Sequence, residues 1–472
     1  MNHRHLSQFD QVRRLQLFVP VSLLLILILL GGFISDVKAA DWSDVEKIVA
    51  TIELPKIPTG EADIRNFGAS PGAAKNILPA INKAIAHLVK SGGGKVVIPA
   101  GLWHVKGPIH LKSKINLHLQ DGARILFVGE VSDYLPVVKQ RWEGTEVYSY
   151  SPMIYASNVE DVAITGKGEI DGNVNSPFHA WHKLQNEDIS KLRKMGFSGV
   201  PVAQRVFAEG TYLRPGLIQI FGGKRILLEG FTALNSPFWV NHVVAASHVT
   251  VRNILVDSHF PNNDGIDIES SEYVLVENNV FKTGDDSVVI KSGRDLDGRT
   301  IGLPSRKIVV RNNEMGGEDG IGMGSEMSGG ISDVFITDNI MHSGDSAFRF
   351  KANLDRGGTV ERIYVRNFVI DRFKHLFWFQ LNYPSEHGGE FETIYKNIEF
   401  SNIAAKKVET AFFIRGTHQF PLKNVLFKNI NISETENTFD IQNALDLEFE
   451  DVTIEGQRIK GIMSWLDESA SH

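Results

Sequence analysis

The chain has 472 residues, 42% of them hydrophobic and 22% charged, with a formal net charge of −7 and no cysteine. This is ordinary globular composition; it excludes a disordered chain, a polytopic membrane protein and a general nucleic-acid binder, and 43 glycines without a Gly-X-Y period exclude collagen. The missing cysteines exclude disulfides, thiolate metal sites and a cysteine nucleophile.

Arg4, Arg13 and Arg14 precede an apolar run from Leu15 to Leu30, and Gly31, Gly32 and Val37-Lys38-Ala39 follow. A basic head, an apolar middle and small residues two apart read as a secretory signal over residues 1–39. An uncleaved anchor is the competing reading, because the run approaches spanning length. Either way the chain is expected to be exported, periplasmic or secreted from a bacterium, with no stable membrane association once the signal is cleaved. Residues 40–460 read as one domain and 461–472 as a C-terminal tail.

Residues 75–91 carry an apolar stripe at Ile77, Ile81, Ile85 and Leu88, the period of a helix, with Pro79 near its start. Three glycines at 92–94 end it, and KVVIPAGLWHV opens a first strand pair. Further on, β-branched runs recur, each closing in Gly, Asn or Asp. They end at Gly166, Gly230, Asn253, Asn278, Asn312, Asp338, Asn367, Asn402, Asn429 and Asp451. After the first wide gap the spacing is 22 to 35 residues, the range of a solenoid coil. Alternation within each run turns Val, Ile and Leu inward and Thr, Arg, Glu and Lys outward. Asn or Asp at the end suits a corner, because both tolerate the left-handed region. One coil cannot bury its own face, so the array predicts a single all-β domain, a right-handed parallel β-helix with an N-terminal capping helix. A sandwich or propeller is the alternative fold. The charged residues 187–194 are expected to form a helical excursion or loop.

Coil register places the acidic residues. Aligning the stretch from Asp264 with that from Asp286 sets Ile268 on Ile290 and puts Asp264 and Asp286 in one column, one coil apart, with Asp285 beside it. A common offset of seven from the coil markers groups Asp285, Asp319 and Asp345. Lys291 and Lys351 share another column. Like charges one coil apart repel, so one carboxyl is expected to have a raised pKa. Acids pushed apart in this way suit a glycosidase, one protonating the leaving oxygen and the others activating water. Turn-closing aspartates are the structural alternative, and Asp338 and Asp451 fit it. Trp181, Trp239, Trp378 and Tyr383 are candidates to stack on sugar rings, and His259 to reach the site. His179 and His182 flank Trp181, but three-residue spacing without a third ligand makes a poor metal site.

The order of motifs resembles glycoside hydrolase family 28, the polygalacturonase family. DIRNFGA from Asp63, GGGKVVIPAGLWHV and the line through INLHL to GARILF are similar to the start of pectinolytic β-helices. Asn262-Asn263-Asp264, Gly284-Asp285-Asp286 and Arg349-Phe350-Lys351 follow the family's motifs in order, and GSEMSGG at 324–330 is similar to bacterial, exo-acting members. The resemblance implies single displacement with inversion. Asp285 would be the general acid; Asp264 and Asp286 would hold and deprotonate the water. Arg349 and Lys351 would bind the substrate carboxylate, with Asn262 and Lys291 as further substrate-binding residues. It implies a pectin or galacturonan substrate, no cofactor and no metal ligand; a capped β-helix is expected to be a monomer. One departure stands out. No His occurs between Arg311 and Glu326, where many members have one beside the acids; Glu318 and Asp319 stand there. That exchange raises a rhamnogalacturonan or another decorated pectin as the alternative polymer, and either residue would hold Asp285 protonated. A Ca²⁺-dependent polysaccharide lyase and a non-catalytic carbohydrate-binding rod are readings from other classes.

Overall fold

In the computed structural model, which describes residues 40–72 and 75–466, every one of the ten run-ending residues from Gly166 to Asp451 has a positive φ. The runs before them become strands because their β-branched side chains fill a pleated inner surface. Val251, Val276, Val310, Ile336, Val365, Phe400 and Phe427 lie one above another in parallel register and are essentially unexposed. Each coil contributes three runs. Asn241–Val244, Ser247–Arg252 and Leu255–Ser258 pair with Ile266–Glu269, Glu272–Glu277 and Val280–Lys291 of the next coil. Later coils merge the runs, as in Thr359–Gln380. The chain is a parallel β-helix.

Behind one row of corners runs a ladder of buried asparagines. The Asn279 backbone N–H and Nδ2 both donate to Asn313 Oδ1, at 3.0 and 2.9 Å, and Asn313 repeats the pattern on Asn339 Oδ1 at 2.9 Å. Each side chain thus satisfies backbone donors that the turn leaves unpaired.

The helix Leu78–Lys90 covers the first coil with Ile81, Ala84, Ile85 and Leu88. The wide first gap is an excursion rather than two rungs, because Ile164 pairs directly with Leu228. The excursion includes a helix at Asn186–Phe197. Together with the hairpin Val138–Trp142/Thr145–Ser149 it forms a small outlying core through Trp142, Val147, Leu192, Phe238 and Trp239. A second helix, Ser43–Thr51, lies outside the coils against Leu275, Val309, Phe335 and Tyr364.

Two expectations need correction. The last segment is not simply a tail from residue 461: Gln457–Trp465 folds back antiparallel on Ala444–Ile454, placing Trp465 against Phe439 and Phe449. The offset-of-seven column is displaced by one residue. Asp286, not Asp285, registers with Asp319, and Asp319 registers with Ser346, not Asp345, because the register shifts between Thr283 and Asp286 and again between Met315 and Asp319. The expected signal, residues 1–39, lies outside the described residues. Among the described residues no helix is long and apolar enough to cross a membrane.

Candidate active site

Strand Ile266–Glu269 and the end of Val280–Lys291 lie side by side, with Ile268 on Ile290 as expected. The Gly265 N–H donates to the Asp286 carbonyl at 2.9 Å, which locks Asp264 beside Asp286. One oxygen from each of Asp264, Asp285 and Asp286 falls within 4.8 Å of the others. Gly322, on the following coil, makes room for them: a Cβ there would sit 2.6 Å from Asp286 Oδ1.

Two lysines offset this charge. Lys351 Nζ lies 2.6 Å from Asp286 Oδ2. Lys291 Nζ lies 3.9 Å from Asp264, 3.8 Å from Asp267 and 3.1 Å from Glu326. The two lysines share a column, as expected: Lys351 registers with Gly324, whose carbonyl accepts from Lys291 Nζ. Asn262 Nδ2 reaches Asp285 Oδ2 at 3.4 Å, and Arg214 holds the Asn262 side-chain oxygen at 2.6 Å. Asp264, Asp285, Asp286, Lys291, Lys351, Asn262 and Glu326 line a pocket of about 310 Å³, together with Trp239, Arg193, Arg294 and Tyr383.

Burial and the neighbouring Asp286 push Asp285 up to about 6, against the pull of Lys351. Asp264 and Asp267 are both raised: Asp264 by burial and then by Asp267 and Asp285, Asp267 by burial and by Asp286 against the pull of Lys291. Asp267 is wholly buried and neither of its carboxylate oxygens has a hydrogen-bond partner. It was missed in the sequence because a lone Asp in a strand reads as an outward position.

Arg349 does not line the pocket. Its Nη1 donates to Asp319 at 2.7 Å and its guanidinium lies 4.0 Å from the centre of the Trp378 ring. Asp319 also accepts from the Ser346 N–H and hydroxyl, so it faces the next coil and fixes Arg349. Glu318 is exposed, makes no ion pair among the described residues, and is raised to about 7 by burial and by Asp285, Asp319 and Asp345. Of the two acids at the histidine's place, Asp319 is held by Ser346 and Arg349 and adds to the rise of Asp285, while Glu318 is exposed. A general acid works only while protonated, so activity is expected to fall as pH rises through Asp285's value of about 6. Glu318, raised to about 7, is mostly uncharged where Asp285 titrates, so Glu318→Gln should leave that alkaline limb nearly in place in a kcat/KM profile.

Most of the far wall was illegible in the sequence, because its groups come from six separate segments. Arg193 of the excursion helix joins Glu143 at 2.5 Å and also pairs with Glu386. Arg294 joins Glu326 at 2.7 Å. Arg356 pairs with Asp295 and donates to the Ser325 carbonyl. Glu326 is held well below the usual range: burial opposes its charge, but Lys291, Arg294 and Arg356 outweigh burial. Residues 295–301 form a short helix. Trp181 is buried against Tyr150 and Phe178 and offers no sugar face. Trp239 and Tyr383 do line the pocket. His259 turns to Asp257 instead. His179 stacks on Phe260.

Among the described residues, Asp264, Asp285 and Asp286 are the one group near enough together to hold a metal ion. Ca²⁺ asks for six to eight oxygen ligands, and here Lys351 and Lys291 already supply positive charge at two of the three carboxylates. What the arrangement does well is different. Two oxygens up to 4.8 Å apart can both accept from one water at ordinary hydrogen-bond length, while a third, half-buried carboxyl with a raised pKa stands ready to give a proton.

Residues 205–453 match the family model described as glycosyl hydrolases family 28. The crystal structure of a hyperthermoactive exopolygalacturonase from Thermotoga maritima superposes with a TM-score of 0.83 at 36% identity, over 90% of this chain and 99% of its own. A probable polygalacturonase of Vitis vinifera is 29% identical over 381 residues, 77% of this chain and 72% of its own length. An exo-poly-alpha-D-galacturonosidase of Dickeya chrysanthemi is 27% identical over 351 residues, 67% of this chain and 55% of its own length.

Proposed function

The chain belongs to glycosyl hydrolases family 28 and is a glycoside hydrolase, and from that premise we propose that it hydrolyses galacturonan, the backbone of pectin, from a chain end. The observation that carries this is the carboxylate trio, Asp264, Asp285 and Asp286, gathered with Lys351 on the floor of one pocket. Asp285 protonates the departing glycosidic oxygen. Asp286 and Asp264 hold the water between them; the proton it loses goes to this pair, and Asp267 spreads the charge. Lys351, with Lys291 behind it, gives the uronate carboxylate a point charge, and Asn262 holds Asp285 toward the bond. Arg349 meets the sugar next to the pocket rather than the one inside it.

Action from a chain end is supported by the wall at Glu143 and Arg193. The hairpin and excursion helix bring Glu143 and Arg193 into the pocket wall, and the exo-acting Thermotoga enzyme is similar over nearly the whole chain. One measure favours a second stereochemical reading. Inverting pairs ordinarily stand about 6.5–9.5 Å apart and retaining pairs about 5–5.5 Å, and these oxygens lie within 4.8 Å. We keep inversion, because the short gap is spanned by one water that two carboxylates share. Proton NMR of the first product anomer decides between them.

The test is a time course on polygalacturonate, with and without EDTA. Monomer from the first minutes and no effect of EDTA are expected. A ladder of oligomers would overturn chain-end action. No new reducing ends would overturn the galacturonan reading, and an unsaturated product would turn it to a lyase. Export of the chain, by the basic and apolar segment before Ala39, is part of the same proposal, since galacturonan polymer lies outside the cell. Fractionation of an expressing bacterium reads it.

A further inference from the structure

The far wall of the pocket is built from ion pairs that the carboxylate chemistry leaves unused. Arg193 Nη2 donates to Glu143 Oε2 at 2.5 Å, and its Nη1 pairs with Glu386 Oε1. Arg294 reaches the same two oxygens, at 3.4 and 4.0 Å. Each acid thus uses one oxygen, and among the described residues Glu143 Oε1 and Glu386 Oε2 remain as acceptors. A ligand can reach these side chains: all line the cavity, and Glu386, Arg193 and Glu143 are 34, 24 and 15% exposed. The wall is also held in place. Asp355 accepts from the Ser385 hydroxyl at 2.7 Å and from the N–H groups of Glu386, His387 and Gly389 at 2.8, 3.0 and 2.7 Å, which fixes the loop that carries Glu386. His387 stacks on Phe197 of the excursion helix at 4.1 Å, so the loop and the helix that bear Glu386 and Arg193 are packed together. Charge decides what such a wall binds. Its three arginines, Arg193, Arg294 and Arg356, pair with four carboxylates, Glu143, Glu386, Glu326 and Asp295, so no guanidinium is left over for a uronate carboxylate. Carboxylate oxygens beside guanidinium N–H groups suit a hydroxyl, which gives one proton and accepts another.

We propose that Glu143, Arg193 and Glu386 bind the free O4 hydroxyl of the sugar at a chain's non-reducing end. The assignment rests on the galacturonan reading and deepens it. Asp264 and Asp286, which act on the water, are 2 and 1% exposed, and Lys291 joins Asp264 to the wall at Glu326. Asp285, which serves the leaving group, is the most open of the three. The sugar that the water attacks therefore lies on the wall side of the acids. Its O4 stands across the ring from the attacked carbon, free in a terminal residue and bonded in an internal one. A β-eliminating lyase leaves ends with a double bond between carbons 4 and 5 and no O4. The wall thus assigns the enzyme to ends made by hydrolysis, and a hydrolase that cuts within the chain is the class of reaction that supplies them.

Two measurements test it. The first compares tetragalacturonate with its counterpart ending in that double bond, both isotopically labelled at the reducing carbon. The wild type should release unlabelled monomer from the saturated tetramer and show a kcat/KM about thirtyfold lower on the unsaturated one, the effect of a hydrogen bond to a charged group. In Glu386→Ala that preference should fall to about threefold, because only the saturated end loses a contact. The altered ring shape of the unsaturated sugar is the same for both proteins and cancels. Glu386 is exposed and its loop is held through backbone N–H groups, so the variant keeps its fold. Labelled monomer, equal rates in the wild type, or a preference that Glu386→Ala leaves unchanged while slowing both substrates overturns the subsite. The second measurement needs no turnover. In Asp285→Asn protein, tryptophan fluorescence, with Trp239 in the pocket, reads the affinity for each tetramer. The saturated one should bind about thirtyfold tighter, and about threefold tighter once Glu386→Ala is added. Equal affinities overturn the subsite. If the wild type cleaves neither tetramer while this preference in binding holds, the reading of the activity fails and the subsite stands.

Discussion

Asp285→Asn is expected to lower kcat on galacturonan by about a thousandfold, within the range of a lost general acid, while the fold stays intact. Asp285 is only half-buried, and an amide keeps the acceptor for the Asp286 N–H at 2.9 Å, giving up only the longer contact from Asn262 Nδ2 at 3.4 Å. An amide has the same shape and cannot give a proton to the departing oxygen. The distinctive result comes from a substrate whose leaving group needs no proton, such as an activated aryl galacturonide. On it the deficit of Asp285→Asn should largely close, and that of Asp286→Asn should not, because Asp286 acts on the water. Equal deficits on both substrates would take the acid role away from Asp285. Asp286→Asn carries a second effect. It strips Lys351 of the partner at 2.6 Å that raises its pKa against burial, and breaking a buried pair this way costs about 3–5 kcal/mol. The Asp286 variant should therefore melt lower as well as work less, and the Asp285 variant should lose activity alone.

Asn313→Ala should destabilise the protein by about 3–5 kcal/mol, a sum of buried groups left unpaired at about 1–3 kcal/mol each. The Asn279 N–H and Nδ2 lose their acceptor, and the Val276 and Arg311 carbonyls lose the Nδ2 that reaches both of them. No water enters easily, because Asn313 is 1% exposed. Its neighbour Asn312 has a φ of 55° and stands half out of the coil. Asn312→Ala forfeits only part of the left-handed preference, about 1 kcal/mol. Denaturant unfolding of the pair separates the two kinds of corner asparagine. Similar losses would mean that the ladder contributes no more than the turn.

The repeat was legible because its physics is local. A β-branched run followed by a residue that tolerates positive φ is written in adjacent letters, and each of the ten runs ends where the structure turns. The Asp264 and Asp286 column followed from the same period. What failed was the next step, which assumed that the period is unbroken. The shift between Thr283 and Asp286 moves Asp319 under Asp286 and lets it bind Arg349, and no residue type announces such a bulge. The wall residues Glu143, Arg193 and Glu386 were beyond reach for another reason. Their meeting depends on where a hairpin, a helix and a loop land after leaving the coils, and none of the three follows the repeat. The Ser43–Thr51 helix escaped as well, since its apolar face is short and its partner is the outside of a sheet that ought to be wet.

The return of Gln457–Trp465 against Ala444–Ile454 has a meaning beyond the last coil. A stack of parallel coils is open-ended by construction, since every rung offers the template for another. Left bare, the final rung would recruit the first rung of a second molecule, and growth would proceed head to tail without closing, as a filament. Running the last strand in the opposite direction makes the terminal ladder unlike any coil in the protein. At the other end the opening strand is only Glu61–Asp63, too short to seed a partner, and the helix Leu78–Lys90 lies beside it. The two ends are therefore unmatched to each other. A fold that could polymerise on its own geometry is held to one finite length.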